Sequence, residues 1–168
     1  MPIVVCDYAL RKAARPDASV REVFIGNFDD TAAAREAAVA LIEEGADFII
    51  HQANEAGRGV FQAAKDRSTL TEPVFVFGTN ANQNGMAPEV VIASATLDLP
   101  GAFLEVASRA KKGTLSAEPI RLGMKQNVVD FVPNPTLYPR VAKAVAAELA
   151  AQRAAIESGE LIVPRGDF

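Results

Sequence analysis

The sequence predicts an α/β protein, a three-layer αβα sandwich built on a mainly parallel sheet. Short apolar runs rich in Val, Ile and Phe alternate with alanine-rich segments of helical period. Several runs are nearly continuous rather than alternating, which suits strands covered on both faces. The segments between them are long enough to be helical crossovers, and strand–helix alternation of this kind means parallel strands joined in the right-handed sense.

In chain order, Glu22-Val23-Phe24-Ile25-Gly26 reads as a strand ending in glycine. The loop Asn27-Phe28-Asp29-Asp30 follows. Asp30 suits an N-cap, because its carboxylate can accept from the free N–H groups of the next turn. A helix from Thr31 to Glu44 sets Ala34, Ala37, Ala38, Leu41 and Ile42 on one face, and Gly45 stops it. Asp47 to His51 is a strand, and Asn54 to Gly59 is a turn. A short helix begins at Val60 and fades near Arg67. Pro73 to Gly78 is another strand, running into the polar loop Thr79 to Gly85. Val90 to Ala95 is a fourth strand. Pro100 to Lys112 is a helix closed by Gly113. Ile120 to Gly123 and Val128 to Phe131 are short strands, Pro139 to Ser158 is a long alanine-rich helix, and Leu161 to Val163 is a tail strand.

The 168 residues fit one domain, and 49% hydrophobic residues can bury a core. A net charge of −4 argues against nucleic acid as a partner. Arg109, Lys111 and Lys112 read as the solvated end of a helix. No stretch is long and apolar enough to span a bilayer. The amino terminus shows no signal peptide; the expected location is cytoplasmic if Met1 is the native start and periplasmic if the chain is a mature or truncated form. The single Cys6 cannot form an internal disulfide or a metal cluster and reads as a buried, inert thiol. No cofactor is expected.

Ligands of open parallel sheets bind outside the carboxyl ends of the strands. Three polar loops fall there: Asn27 to Asp30, Ala53 to Gly59, and Thr79 to Gly85. Phe28 offers a flat apolar face for stacking on a ring. Asn80 and Asn82 each offer a donor and an acceptor. Turn chemistry alone also asks for Asn, Asp and Gly, and Phe28 could fold back on the core. Catalysis is not expected. His51, at the end of an apolar strand, reads as a satisfied core or loop histidine. Asp29 and Asp30 read as capping residues, Ser94 lacks a nucleophile elbow, and Gly57-Arg58-Gly59 lacks a dinucleotide fingerprint.

Several segments resemble the basic membrane protein family of ABC-transporter substrate-binding proteins, many of which receive purine bases or nucleosides. Val23-Phe24-Ile25-Gly26-Asn27-Phe28-Asp29-Asp30 is similar to its strand and G-S-F/W-x-D element. Gly45-Ala46-Asp47-Phe48-Ile49-Ile50 and Gly57-Arg58-Gly59-Val60-Phe61-Gln62-Ala63-Ala64-Lys65 resemble its G-A-D strand and following helix start. Val76-Phe77-Gly78-Thr79-Asn80-Ala81-Asn82-Gln83 resembles its D/N-x-D-Q loop. Gly113-Thr114-Leu115, Leu122-Gly123-Met124-Lys125 and Ile156 to Pro164 match later stretches in order. The resemblance implies a Rossmann/flavodoxin-like sheet and one lobe of a type I periplasmic-binding-protein fold. Residues 1–168 would form that single lobe, with a crossover segment at about 118–133 and a last helix at about 139–158. Tyr8 to Pro16 would be its first helix and Ile3-Val4-Val5 a shortened opening strand.

The resemblance also implies that Phe28 stacks on a base, that Ala56 and Gly57 approach the ligand, and that Asn80 faces the base or sugar. The candidate binding set is Phe28, Asp29, Asn54, Ala56, Gly57, Asn80 and Asn82. Members of the family often have Gly-Gly at Asn54-Glu55, an acidic residue at Asn80, and a basic residue near Leu97-Asp98-Leu99. The expected role is a non-enzymatic purine-binding lobe that works as a homodimer, with a domain-swapped form among the expectations. The alternative is a ligand-free structural or regulatory protein that keeps the fold.

Overall fold

Asp30 starts the first helix as its side chain dictates. In the computed structural model, which describes residues 19–163, its Oδ1 accepts from the Ala33 N–H at 2.9 Å. Helix α1 (Thr31–Glu43) buries Ala34, Ala38 and Leu41 and ends at Gly45, whose φ of +96° only glycine adopts freely. Strand β1 (Phe48–Ile50) follows, then a 3₁₀ turn (Asn54–Ala56) that runs straight into helix α2 (Gly57–Arg67). Strands β2 (Phe75–Asn80) and β3 (Val91–Leu97), helix α3 (Leu99–Lys111), strand β4 (Val129–Pro133) and helix α4 (Lys143–Ser158) complete the order.

The sheet is four-stranded, mostly parallel and ordered β1-β2-β3-β4. β1 and β2 pair in parallel, with Phe48 opposite Phe75, Ile49 opposite Val76 and Ile50 opposite Phe77. This register decides which face is core. Ile49 and Val76 point to one side, where they pack with Ala34, Ala38, Val60 and Phe61 of the two helices. Phe48, Phe75 and Phe77 share the other side, with ring centroids 5.5 and 6.1 Å from Phe48.

Contacts divide the chain into two units. The first holds the described residues up to Ala95 together with Val132–Tyr138. Its last segment is pinned by Asn134, which is fully buried. The Asn134 amide donates to the carbonyls of Pro88 at 2.9 Å and Val91 at 2.5 Å, and its oxygen accepts from the Thr136 N–H at 2.9 Å. Both side-chain N–H groups and the oxygen are therefore engaged, as a buried amide requires. The second unit comprises Thr96–Phe131 and the described residues from Pro139 onward. Asp98 caps α3 by accepting from the Gly101 N–H at 3.0 Å. Arg153 of α4 holds Asp130 at 2.6 Å and Glu157 at 2.8 Å. Neither α3 nor α4 has a fully buried residue, so this unit is thinly packed.

The sequence reading differs from the structure at several ends. Glu22–Gly26 contributes a single bridge residue, Phe24, rather than a strand. Helix α2 begins at Gly57, not Val60, because the glycines at 57 and 59 take helical backbone here without a side chain to clash. Ile120–Gly123 is not a strand: the Gly123 carbonyl is spent locally, on the Gln126 and Val128 N–H groups at 3.2 and 3.0 Å. The last helix starts at Lys143, after a separate 3₁₀ turn at Tyr138–Arg140. Leu161–Val163 is not a strand either. The Leu161 N–H closes α4 by reaching back to Ala155 at 3.0 Å, around Gly159 with φ +83°. Cys6, Ile3-Val4-Val5 and the helix expected over Tyr8 to Pro16 lie outside the described residues.

A side chain at Gly59 would overlap the Thr31 carbonyl oxygen and crowd the Arg35 amide at 2.8 Å, both fixed backbone. Gly59→Ala is expected to cost about 1–3 kcal/mol in urea unfolding, the usual scale of overpacking. Gly85→Ala meets nothing within 4 Å and is expected to change stability by less than about 0.5 kcal/mol. Equal effects at both positions would show that helix approach is not the constraint.

Candidate functional site

Three loops meet at the carboxyl edge of β1 and β2, all within the first unit. The first is shaped by Asn27, whose side-chain oxygen accepts from the Asp29 N–H at 3.0 Å and the Asp30 N–H at 2.7 Å. This turn presents Phe28, which keeps 38% of its surface exposed and does not fold back on the core. The Phe28 carbonyl accepts from the Ala56 N–H at 2.9 Å, which ties the first loop to the second.

The second and third loops are joined by side chains. Asn80 Nδ2 donates to Asn54 Oδ1 at 3.2 Å, and Gln52 Nε2 donates to Asn80 Oδ1 at 3.3 Å. Asn54 and Asn80 both have left-handed backbone, with φ of +45° and +67°. Asn tolerates that region better than most residues, and strain of this kind clusters in binding loops. The third loop is braced from below. Gln83 Oε1 accepts from the Thr79 N–H at 2.8 Å, the Gln83 N–H donates to Ser94 Oγ at 3.0 Å, and Ser94 Oγ donates to Asn84 Oδ1 at 2.7 Å.

Beneath the second loop sits His51, 1% exposed. Its ring lies edge-on to Phe61, 5.1 Å between centroids, and a Cβ on Gly57 would overlap it. Neither ring nitrogen has a hydrogen-bond partner. His51 is thus buried as expected but not satisfied, because the strand end places it between apolar neighbours and a helix start. Burial pushes its pKa down from 6.5 to about 4, and the nearby Gln83 amide offsets only part of this. A shallow apolar groove lined by Val23, Ile25, Ala34, Ile49 and Val60 ends at His51 and Gln52.

The structure therefore brings Phe28, Asn54, Ala56 and Asn80 together, with Gly57 buried at their base. Asp29 stands exposed at the rim. The Asn82 side chain is exposed, and its Oδ1 accepts from the Asn84 N–H at 3.1 Å within its own turn. Gln52 was not among the expected residues. Its signal was the register: extending the Ile50–Phe77 pair by two places Gln52 opposite Thr79, beside Asn80. The site can stack a flat ring and read its edge with neutral amides. The Glu55–Arg58 pair, 2.8 Å apart, is exposed and self-compensated. Among the described residues no group of His, Cys, Asp or Glu could hold a metal ion, and no helix is long and apolar enough to cross a membrane.

Residues 11–164 match the Bmp family, described as ABC transporter substrate-binding protein PnrA-like. The chain belongs to this family. It is 32% identical over 155 residues to basic membrane protein A of Borreliella afzelii, covering 91% of this chain and 46% of that protein. It is 27% identical over 150 residues to a purine-binding protein of Brucella abortus, covering 89% and 40% respectively. Among solved structures, it resembles an ABC transporter solute-binding protein from Conexibacter woesei with a TM-score of 0.65 and 28% identity. That match covers 93% of this chain and 50% of the other. The chain thus spans half or less of the length of each of these Bmp relatives and neighbours.

Because His51 is neutral when folded down to about pH 4 and its unfolded pKa is 6.5, the unfolded state binds more protons between these values. Stability is expected to fall by about 3 kcal/mol as pH drops from 7 to 4, on top of whatever the carboxylates contribute. His51→Leu removes both orphaned nitrogens. It is expected to be at least as stable as the natural chain at pH 7 and to lose this part of the pH dependence. Urea unfolding at pH 7 and 4.5 checks it: an unchanged pH slope in the variant refutes the assignment.

Proposed function

We propose that this chain is a solute-binding lobe that takes a purine base or nucleoside on Phe28, Asn54, Ala56, Gly57 and Asn80, with Asp29 and Asn82 at the rim. The observation that carries the reading is the joining of three separate loops around Phe28 and Asn80 by hydrogen bonds at 2.9, 3.2 and 3.3 Å. The name of the Brucella abortus relative supports the ligand class. Membership in a substrate-binding family supports a non-enzymatic role, serving an ABC transporter outside the cytoplasmic membrane.

In this reading the lobe works as a homodimer, with the crossover segment or the last helix as the element that would be exchanged. Phe103 and Leu104 of α3 are 73% and 71% exposed. Apolar side chains this exposed mark association surfaces when they lie together.

Isothermal calorimetry with adenine, hypoxanthine, adenosine and inosine tests the ligand. Binding is expected to be lost or weakened at least about tenfold in Phe28→Ala, since stacking contributes about 1–3 kcal/mol per base. No heat from any of the four, in a folded sample, favours the ligand-free structural reading instead. Light scattering at micromolar concentration tests the dimer, and a clean monomer rejects it.

A further inference from the structure

Asn80 meets the proposed site on a strained turn. The Ala81 N–H donates to the Thr79 carbonyl at 2.8 Å, across Asn80 with its φ of +67°. A bond between residues two apart, closed around a positive φ, is a γ-turn of the rare and strained kind. Such backbone persists only where its surroundings over-determine it. The side-chain bonds of Asn80 to Gln52 and Asn54 are exposed and long, at 3.3 and 3.2 Å, so the hold must come from elsewhere.

It comes from below, through one fully buried hydroxyl on β3, that of Ser94. The direction of each bond follows from the last. Asn84 Nδ2 donates to the Val132 carbonyl at 3.1 Å, which turns Asn84 Oδ1 toward Ser94. Ser94 then donates to that oxygen at 2.7 Å, and its Oγ lone pairs are left for the Gln83 N–H at 3.0 Å. Gln83 Oε1 in turn accepts from the Thr79 N–H at 2.8 Å, at the foot of the strained turn. Gly78 allows this meeting, since a Cβ there would lie 2.6 Å from Ser94 Oγ and 2.9 Å from Gln83 Cβ. The far end is anchored as well: Asn134, two residues beyond Val132, bonds the Pro88 and Val91 carbonyls. All of these residues belong to the first unit. The nearer hydroxyl, Thr79 Oγ1, is buried without a partner among the described residues and holds nothing.

We propose that Ser94 is a positioning residue of the ligand site: its hydroxyl, out of a ligand's reach, locks the strained turn that presents Asn80. This rests on the purine reading above. A Ser94 that merely filled the core would loosen the whole unit when altered. A Ser94 that positions Asn80 loosens the Thr79 end first and weakens the ligand with it.

The test compares the natural chain with Ser94→Ala and Ser94→Cys, by amide hydrogen exchange and by calorimetry with adenine and hypoxanthine. Alanine leaves the Gln83 N–H and Asn84 Oδ1 unpaired. Cysteine keeps the shape with only a weak donor, and carries the comparison if the alanine variant does not fold. The probe is the Thr79 N–H, which Ser94 does not touch. The reference is the Val76 N–H of the same strand, which bonds the Val90 carbonyl at 2.9 Å. Thr79 is expected to exchange at least about tenfold faster in Ser94→Ala, after the change at Val76 is divided out, and by a smaller factor in Ser94→Cys. Any base that binds the natural chain is expected to bind Ser94→Ala at least about tenfold more weakly. Unchanged affinity, or Thr79 exchange that rises no more than that of Val76, overturns the positioning role while purine binding stands. Absence of binding by the natural chain is a different result: it rejects the purine reading, and the positioning role with it.

Discussion

Helix α2 crosses α1 at Gly59, where the only thing facing the Thr31 carbonyl is a hydrogen atom. The rest of the first unit follows from that approach. With α2 held there, Val60, Phe61, Ala63 and Ala64 reach the core beside Ile49 and Val76. The start of α2 is then carried over the end of β1, so that Gly57 rests on the His51 ring. That in turn brings the Ala56 N–H to the Phe28 carbonyl. A methyl group at either glycine would lift the second loop away from the first. The candidate edge is therefore a consequence of helix packing, and Gly59 acts on it from a distance.

The cost of this placement falls on polar groups near the site. His51 is buried with two unpaired nitrogens, and Asn54 and Asn80 hold left-handed backbone. Each such feature disfavours folding by about 1–3 kcal/mol. By contrast Asn134, Asn84 and Ser94 of the first unit are buried with hydrogen-bonded side chains. The contrast is informative. Where polar groups brace the fold, partners are found for them. Where the chain forms a candidate binding edge, valences stay open. A buried network that pins Val132–Tyr138 and braces the Thr79–Asn84 loop supplies the rigidity that lets the edge stay strained.

The α/β class, the helix at Thr31, its Asp30 cap and its Gly45 stop were legible because they rest on local chemistry and strong periodicity. Strand β2 was legible as a β-branched and aromatic run, and β3 as the apolar run opening on Val90-Val91-Ile92. The short apolar segments at Ile120 and Leu161 misled, because three or four β-formers say nothing about where their N–H groups go. In the fold the Gly123 N–H goes to the Gln126 side chain and the Leu161 N–H to the Ala155 carbonyl, both local partners. At the site, Phe28 and Asn80 could be picked out by residue type and position. Gln52 could not, since its role depends on the cross-strand register and not on any local motif. The unsatisfied state of His51 was equally hidden, because burial of a strand end is visible in a sequence but the absence of a partner is not.

Three loops on one sheet edge can hold only one side of a flat ligand. A ring stacked on Phe28 and read along one edge by Asn54 and Asn80 still shows its other face to water. Stacking on a single exposed aromatic and two or three hydrogen bonds each near 1 kcal/mol net sums to weak binding. A second wall is needed for tight binding, and in the proposed assembly another copy provides it. Ligand binding and self-association are then linked equilibria: each strengthens the other by mass action. The neutral amide edge is well suited to such a shared cleft. Two copies facing each other with carboxylates would place like charges together, whereas amides can pair across the cleft or with the ligand at no electrostatic penalty.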